Sequence, residues 1–208
     1  MAVDKSNLRR GKAPQNTAPR RFKVRYVFYF AFALMLVLSI LSYSGSDYST
    51  IVGGSDAPPH NWIGNLGAYL SYWLFICCGL ATYVLLGVLA LAVIRAFLPG
   101  PANRTRFFTG AVMIMLGAML LFAMAPETFA SISDKLGIGR SGAARQGLPG
   151  GVIGQALAAP QIEELNIHDG LIRRLIGPVG TMVSGWALLF AGLVMIYLAD
   201  FHQFVKAQ

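Results

Sequence analysis

The chain has 208 residues and a formal net charge of +8 at pH 7; 55% of its residues are hydrophobic and only 12% charged. The charged share is about half that of an ordinary soluble domain, and a core of this size cannot hide so much apolar surface from water. A soluble globular fold is excluded, and an integral membrane protein is expected.

Residues 1–25 are basic, and 1–20 are polar, with Pro14, Gln15, Asn16 and Pro19 and almost no large apolar group. Such a stretch cannot offset the entropy of ordering and is expected to be a disordered cytoplasmic tail. Its eight basic residues, Lys5, Arg9, Arg10, Lys12, Arg20, Arg21, Lys23 and Arg25, are read first as an orientation signal, ahead of a site for anionic lipid or DNA. They form too long a leader, and the apolar block behind them is too long, for a cleaved signal peptide.

Four apolar blocks follow, at 26–43, 68–94, 107–124 and 177–198, none with an internal Asp, Glu, Lys, Arg or His. Each is read as a membrane span, since a helix needs roughly 20 residues to cross the hydrocarbon core. The predicted fold is all-α, a four-transmembrane-helix bundle filling 26–200. Short loops rich in Lys and Arg stay cytoplasmic. Arg95, Arg104 and Arg106 near the second turn and Lys206 at the end join the basic tail, whereas the 44–67 loop has no Lys or Arg. Both termini are therefore expected in the cytoplasm, with 44–67 and 125–176 exported and 201–208 starting a cytoplasmic tail or linker.

Between the spans, Gly53, Gly54, Pro58 and Pro59 break the 44–67 loop until the chain turns back near Asn61 and Trp62. Trp62 and Tyr69 suit the membrane interface, where an amphipathic ring keeps one edge wet. Pro99 and Pro101 make 98–106 a short turn. In the 125–176 segment, glycines at 137, 139, 142, 147, 150 and 151 argue against regular structure up to Leu148. Val152 to Ala159 is apolar but short, a re-entrant or interfacial piece that would have to pack against the bundle. Ile162 to Ile176 carries apolar residues at roughly helical spacing and predicts an interfacial amphipathic helix. Glycines at Gly79, Gly87, Gly110, Gly117, Gly180, Gly185 and Gly192 lie within the spans, where small residues let helices approach closely. Packing within the chain is the leading reading, with subunit contacts second.

Catalytic chemistry is not legible. No Gly-x-x-x-x-Gly-Lys-Ser/Thr stretch occurs, so the cradle that grips nucleotide phosphates is missing. His60, His168 and His202 are scattered, no cofactor or metal site is expected, and adjacent Cys77 and Cys78 within a span are read as packing groups. Carriers and proton channels usually keep ionisable residues inside their spans, and none is present here.

Three stretches stand out. The first is Ser42, Tyr43, Ser44, Ser46 and Asp47 at the end of the first block, with Gly45 between the serines. The second is Asn61 to Leu70, "NWIGNLGAYL", with Asn61, Trp62, Gly64 and Gly67. The third is "GGVIG", with Gly150, Gly151 and Gly154. In order and position they resemble motifs of the four-helix membrane domain at the N-terminus of FtsK/SpoIIIE-type DNA translocases, over roughly 25–200. The resemblance implies a non-enzymatic anchor that holds a DNA pump at the division septum of the bacterial inner membrane. It also implies homo-oligomers, hexameric by analogy, contacts with other division proteins, and DNA handled only by an ATPase motor that these residues do not contain. Either the chain is the N-terminal part of a longer translocase or it is a stand-alone relative. A small transporter or channel-like protein is the alternative, because helices with glycine-lined faces could surround a path. The three motifs are read as partner contacts or as structural devices; Ser46 and Asp47 could satisfy a helix end, and the glycines could permit turns.

Overall fold

The computed structural model describes residues 24–47, 51, 58–97, 104–136, 148–161 and 169–207. The N-terminal tail, most of the 48–57 loop and residues 137–147 and 162–168 lie outside the described residues, as does most of the 98–106 turn. Among the described residues the chain is all-helical, with seven α-helices. They are α1 (Val24–Leu41), α2 (Gly64–Cys78), α3 (Ala81–Phe97), α4 (Arg104–Met124), α5 (Pro126–Lys135), α6 (Gly151–Ala158) and α7 (Leu171–Ala207). A 3-10 turn, Gly45–Asp47, follows α1.

The bundle is organised around α4, whose neighbours run antiparallel to it. Ala81 of α3 meets Ala118 and Met119, and Val88 meets Ile114. Farther down, the Arg95 guanidinium lies 5.7 Å from the Phe107 ring centre and donates to the Ile196 carbonyl at 3.3 Å. On its other side α4 packs against α7 through glycines. A Cβ at Gly110 would lie 2.8 Å from the Gly192 carbonyl oxygen, and one at Gly117 would lie 2.7 Å from that of Gly185. The two backbones thus touch, which is how helices associate where lipid supplies no hydrophobic drive. Gly110, Gly117, Gly185 and Gly192 all belong to this seam; the faces that could have lined a path are filled by the facing helix. Gly87 has open space around its Cβ position and takes no part.

By length and composition, α4 and the Leu171–Tyr197 part of α7 are long and apolar enough to cross a membrane. The pair α2 and α3 counts as a third span if its two halves are taken together, and Val27–Leu41 is a shorter apolar helix. The block read as one second span, 68–94, is thus two helices, bent by 112° at Gly79–Leu80. Gly79 has φ +59, a conformation that only glycine adopts without strain, so the helix cannot continue through it. The 125–148 stretch, read as irregular, opens with α5. Pro126 sits in its first turn, where the missing backbone donor costs nothing, with Glu127 beside it. The fourth block begins at a kink: Gly177 has φ +73, Pro178 follows, and a helical limb from Leu171 precedes them. The amphipathic helix expected over 162–176 is interrupted, since Asp169 and Gly170 are non-helical and only Leu171 onward is helix among its described residues. At the far end α7 continues as helix to Ala207.

At one end of the bundle, where α1 and α4 finish and α3 begins, the smaller elements gather. Here α2, the 3-10 turn, α5, α6 and the Leu171–Ile176 limb form a cap. Phe75 of α2 is its centre, fully buried with Ile40 and Leu80 beside it. The Tyr43 ring lies 4.2 Å and the Tyr83 ring 5.2 Å from that of Phe75.

Candidate functional site

The cap holds all three motif stretches. Ser42 ends α1 by turning its hydroxyl back onto the Leu38 carbonyl at 2.7 Å, a bond that competes with helix continuation. The same oxygen accepts the Trp62 backbone N–H at 3.1 Å, so the stop of α1 is tied to the approach of α2. Beyond it, the 3-10 turn buries Asp47, which is 3% exposed. Its Oδ1 accepts the His60 backbone N–H at 2.8 Å and lies 3.1 Å from His60 Nδ1. Ser46 Oγ stands 3.3 Å from that same nitrogen and 2.7 Å from Ser44 Oγ. Residues 47 and 60, on either side of a long loop, are thereby fastened together.

Asn61 is the deeper joint, 4% exposed. Its amide donates to the Ser39 carbonyl at 2.9 Å and reaches Ser71 Oγ at 3.4 Å, while Oδ1 accepts the Ile63 N–H at 3.1 Å. The hydroxyls of Ser39 and Ser71 both donate to the Gly67 carbonyl. A Cβ on Gly67 would lie 2.1 Å from Asn61 Oδ1, so asparagine and glycine fit only as a pair. Gly64 serves differently: its surroundings are open, but its φ of +69 starts α2 in a left-handed turn closed by its N–H on the Asn61 carbonyl at 2.8 Å.

The third motif meets the far end of α2. Gly151 has φ +65, and a Cβ there would lie 2.4 Å from the Cys77 carbonyl oxygen; one on Gly79 would lie 2.2 Å from the Pro149 carbonyl oxygen. Two chain breaks are pressed together, and Leu80 N–H donates to Pro149 O across the contact at 2.7 Å. The remaining groups find partners locally, with Gly79 N–H on Phe75 O at 2.9 Å and the Thr82 hydroxyl on Leu74 O at 3.0 Å. A peptide group buried without a partner costs about 1–3 kcal/mol, so this pairing is what allows the helix to break inside the bundle. Gly150 and Gly154 let α6 lie on α4, where a Cβ on either would come 2.5 Å from the Met119 carbonyl oxygen. The short apolar α6 is accordingly packed into the bundle, and Gly170 N–H on Ala159 O at 3.0 Å brings the chain back from it.

The motif residues thus divide. Asn61, Gly67, Gly150, Gly151 and Gly154 face inward as joints of the cap, and Asp47 is buried with them, one oxygen lacking a partner. Ser42, Tyr43, Ser44 and Gly64 are half-buried, whereas Trp62 and Ser46 are exposed. Sequence reasoning missed Ser39, Ser71, Gly79, Pro149 and the role of His60. Ser39 and Ser71 carried a signal, since a lone hydroxyl inside an apolar block needs a partner. Gly79, which the sequence places among the packing glycines, is a break.

Chemically the cluster is a fastening. Asp47, His60 and Ser46 have the residue types of a nucleophilic triad. However, both Asp47 and Ser46 approach the same ring nitrogen, whereas proton transfer to a nucleophile requires base and orienting acid on opposite sides of the imidazole. Among the described residues no group of three or more His, Cys, Asp or Glu could hold a metal ion. Cys77 and Cys78 are free and half-buried beside the break. A hollow of about 360 Å³ between α3, α4 and α5 is lined by Leu80, Tyr83, Val84, Phe122, Phe129 and Ile132, with no ionisable pair.

Comparison with known proteins gives one finding. A family model described as the 4TM region of DNA translocase FtsK/SpoIIIE matches residues 21–207, a stretch that contains all three motifs and the whole cap. Among the curated proteins and the solved structures, nothing matches.

Proposed function

Because the chain belongs to the family of the 4TM region of DNA translocase FtsK/SpoIIIE, a membrane helical bundle that serves as an anchor, we propose that it holds a DNA-translocating ATPase at the division septum. The observation that carries the reading is the match over 21–207, which spans the bundle from α1 to the end of α7. A motor that pulls DNA needs a fixed point, and a bundle whose helices are joined backbone to backbone and hydrogen-bonded at one end can transmit force without rearranging. Both termini lie in the cytoplasm, so that the basic tail and the far end of α7 face the chromosome. The copies assemble with one another, as a hexamer by analogy with the family, and recruit other division proteins of the bacterial inner membrane. DNA is engaged only through the motor.

A fluorescently tagged chain should concentrate at the septum of dividing cells and bring other division proteins there; uniform peripheral fluorescence would contradict the septal role. Reporter fusions at residues 1 and 208 should both be active only in the cytoplasm, and an exported signal from either would overturn the orientation. Native-detergent mass measurement should find oligomers, with a strictly monomeric particle counting against self-assembly.

A further inference from the structure

The sharp bend between α2 and α3 leaves a surface that the anchor role does not use. The chain bends by 112° between them, so α2 lies close to perpendicular to α3. Its 15 residues carry no charge, and one side, Gly67, Ala68, Ser71, Tyr72 and Phe75, is buried in the cap. The opposite side is a continuous exposed stripe, from Trp62 in the turn before the helix through Leu66 and Tyr69 to Trp73, the two indoles being 71% and 58% exposed. The spacing of three and four residues keeps Leu66, Tyr69 and Trp73 on one helical face, and Trp62 is exposed in the turn just before it. The stripe also has a polar edge: the Tyr69 hydroxyl donates to the Ile51 carbonyl at 3.2 Å, pointing back to the loop while the ring stays outside.

We propose that α2 is an interfacial helix and that the Trp62–Leu66–Tyr69–Trp73 stripe docks on the boundary between lipid headgroups and acyl chains. Tryptophan and tyrosine prefer this zone because the ring is apolar and its N–H or O–H wants water. A helix lying across the bundle axis presents such a stripe at one depth, which an upright span cannot do. α3 then crosses alone, its 17 residues reaching about 25 Å, which a bilayer accommodates by modest thinning. The stripe acts as a float that sets the depth of the cap, and both ends of the float are fixed, by Asn61 and Ser39 at one and by Gly79 and Gly151 at the other.

The chain carries three tryptophans, and the third, Trp186, lies within the Leu171–Tyr197 span of α7. The test uses single-tryptophan variants, made by Trp→Phe at the other two positions, in phosphatidylcholine vesicles brominated either near the headgroup or near the acyl terminus. Trp62 and Trp73 should be quenched more by the shallow bromines and Trp186 more by the deep ones. Trp73 following Trp186 would mean that α2 continues the α3 span and would overturn the proposal. So would Trp62 and Trp73 escaping both quenchers while Trp186 is quenched, which would place the stripe against water or another protein. Should a double replacement fail to fold, the single variants W62F and W73F give the same depths by difference from the three-tryptophan chain. Septal recruitment can fail with these depths unchanged, so the two readings are separable.

Discussion

The cap and the α4–α7 seam solve the same problem with different physics. In the seam, Gly110, Gly117, Gly185 and Gly192 keep ordinary helical conformations and merely make room, so what matters is the absence of a side chain. In the cap, Gly64, Gly79 and Gly151 have φ between +59 and +69, and what matters is a backbone shape that other residues resist. The seam lets two regular helices touch along their length. The cap lets helices stop inside the bundle, because the interrupted peptide groups find partners, Leu80 N–H across the contact on Pro149 O and others, such as Gly79 N–H on Phe75 O, locally. Small residues on a regular face and glycines at a break therefore look alike in a sequence and fail differently when replaced.

Replacement at a break is the severest way to expose that difference. Gly151→Val adds a strained φ to a clash with the Cys77 backbone, and both neighbours are main chain, so neither can yield by changing rotamer. A loss of roughly 3 kcal/mol or more is expected, read as loss of monodisperse protein in detergent and a lowered unfolding temperature. Next comes Asn61→Ala, which leaves the Ser39 carbonyl and Ile63 N–H without their partner in a buried joint and should cost about 2 kcal/mol. A seam replacement, Gly117→Ala, forces the backbones apart with no conformational penalty and should cost about 1 kcal/mol; detergent unfolding would rank it below Asn61→Ala. Smallest is Gly87→Ala, whose added methyl meets nothing within 4 Å. There the gain in helix propensity, about 0.5–1 kcal/mol, should leave the chain as stable as before or slightly more so. If Gly87→Ala proved as damaging as Gly117→Ala, the distinction between packed and open glycines would fall.

The helices that run unbroken through the apolar interior were the most legible. The 107–124 block corresponds to α4, Arg104–Met124, because an uninterrupted apolar run, with arginines before it and Pro126 after it, leaves the chain one way to satisfy its peptide groups. The break in the second block was invisible for a related reason. Apolar residues suit the lipid face, the bundle interior and the interface alike, so hydrophobicity does not mark where Cys78 stops being helix and Ala81 starts again. α5 was hidden by the glycines that follow it, although Pro126 and Glu127 were ordinary start signals. The motif residues could be quoted from the sequence, but their work could not. Asn61 acts on Ser39 and Ser71, which lie 22 and 10 residues away, and Gly151 acts on Cys77; such pairings appear only once α2 has been bent across the bundle.

In the cap the two breaks form one joint, and a double-mutant cycle at Gly79 and Gly151 tests this most directly. Each Gly→Ala replacement alone should push the Cys77–Leu80 and Leu148–Gly151 segments apart, and once they are apart the second replacement meets less resistance. Unfolding measured for G79A, G151A and the double variant should therefore be sub-additive, with a coupling of about 1 kcal/mol or more. Additivity to within about 0.5 kcal/mol would mean that the breaks are independent turns, and would contradict the joint.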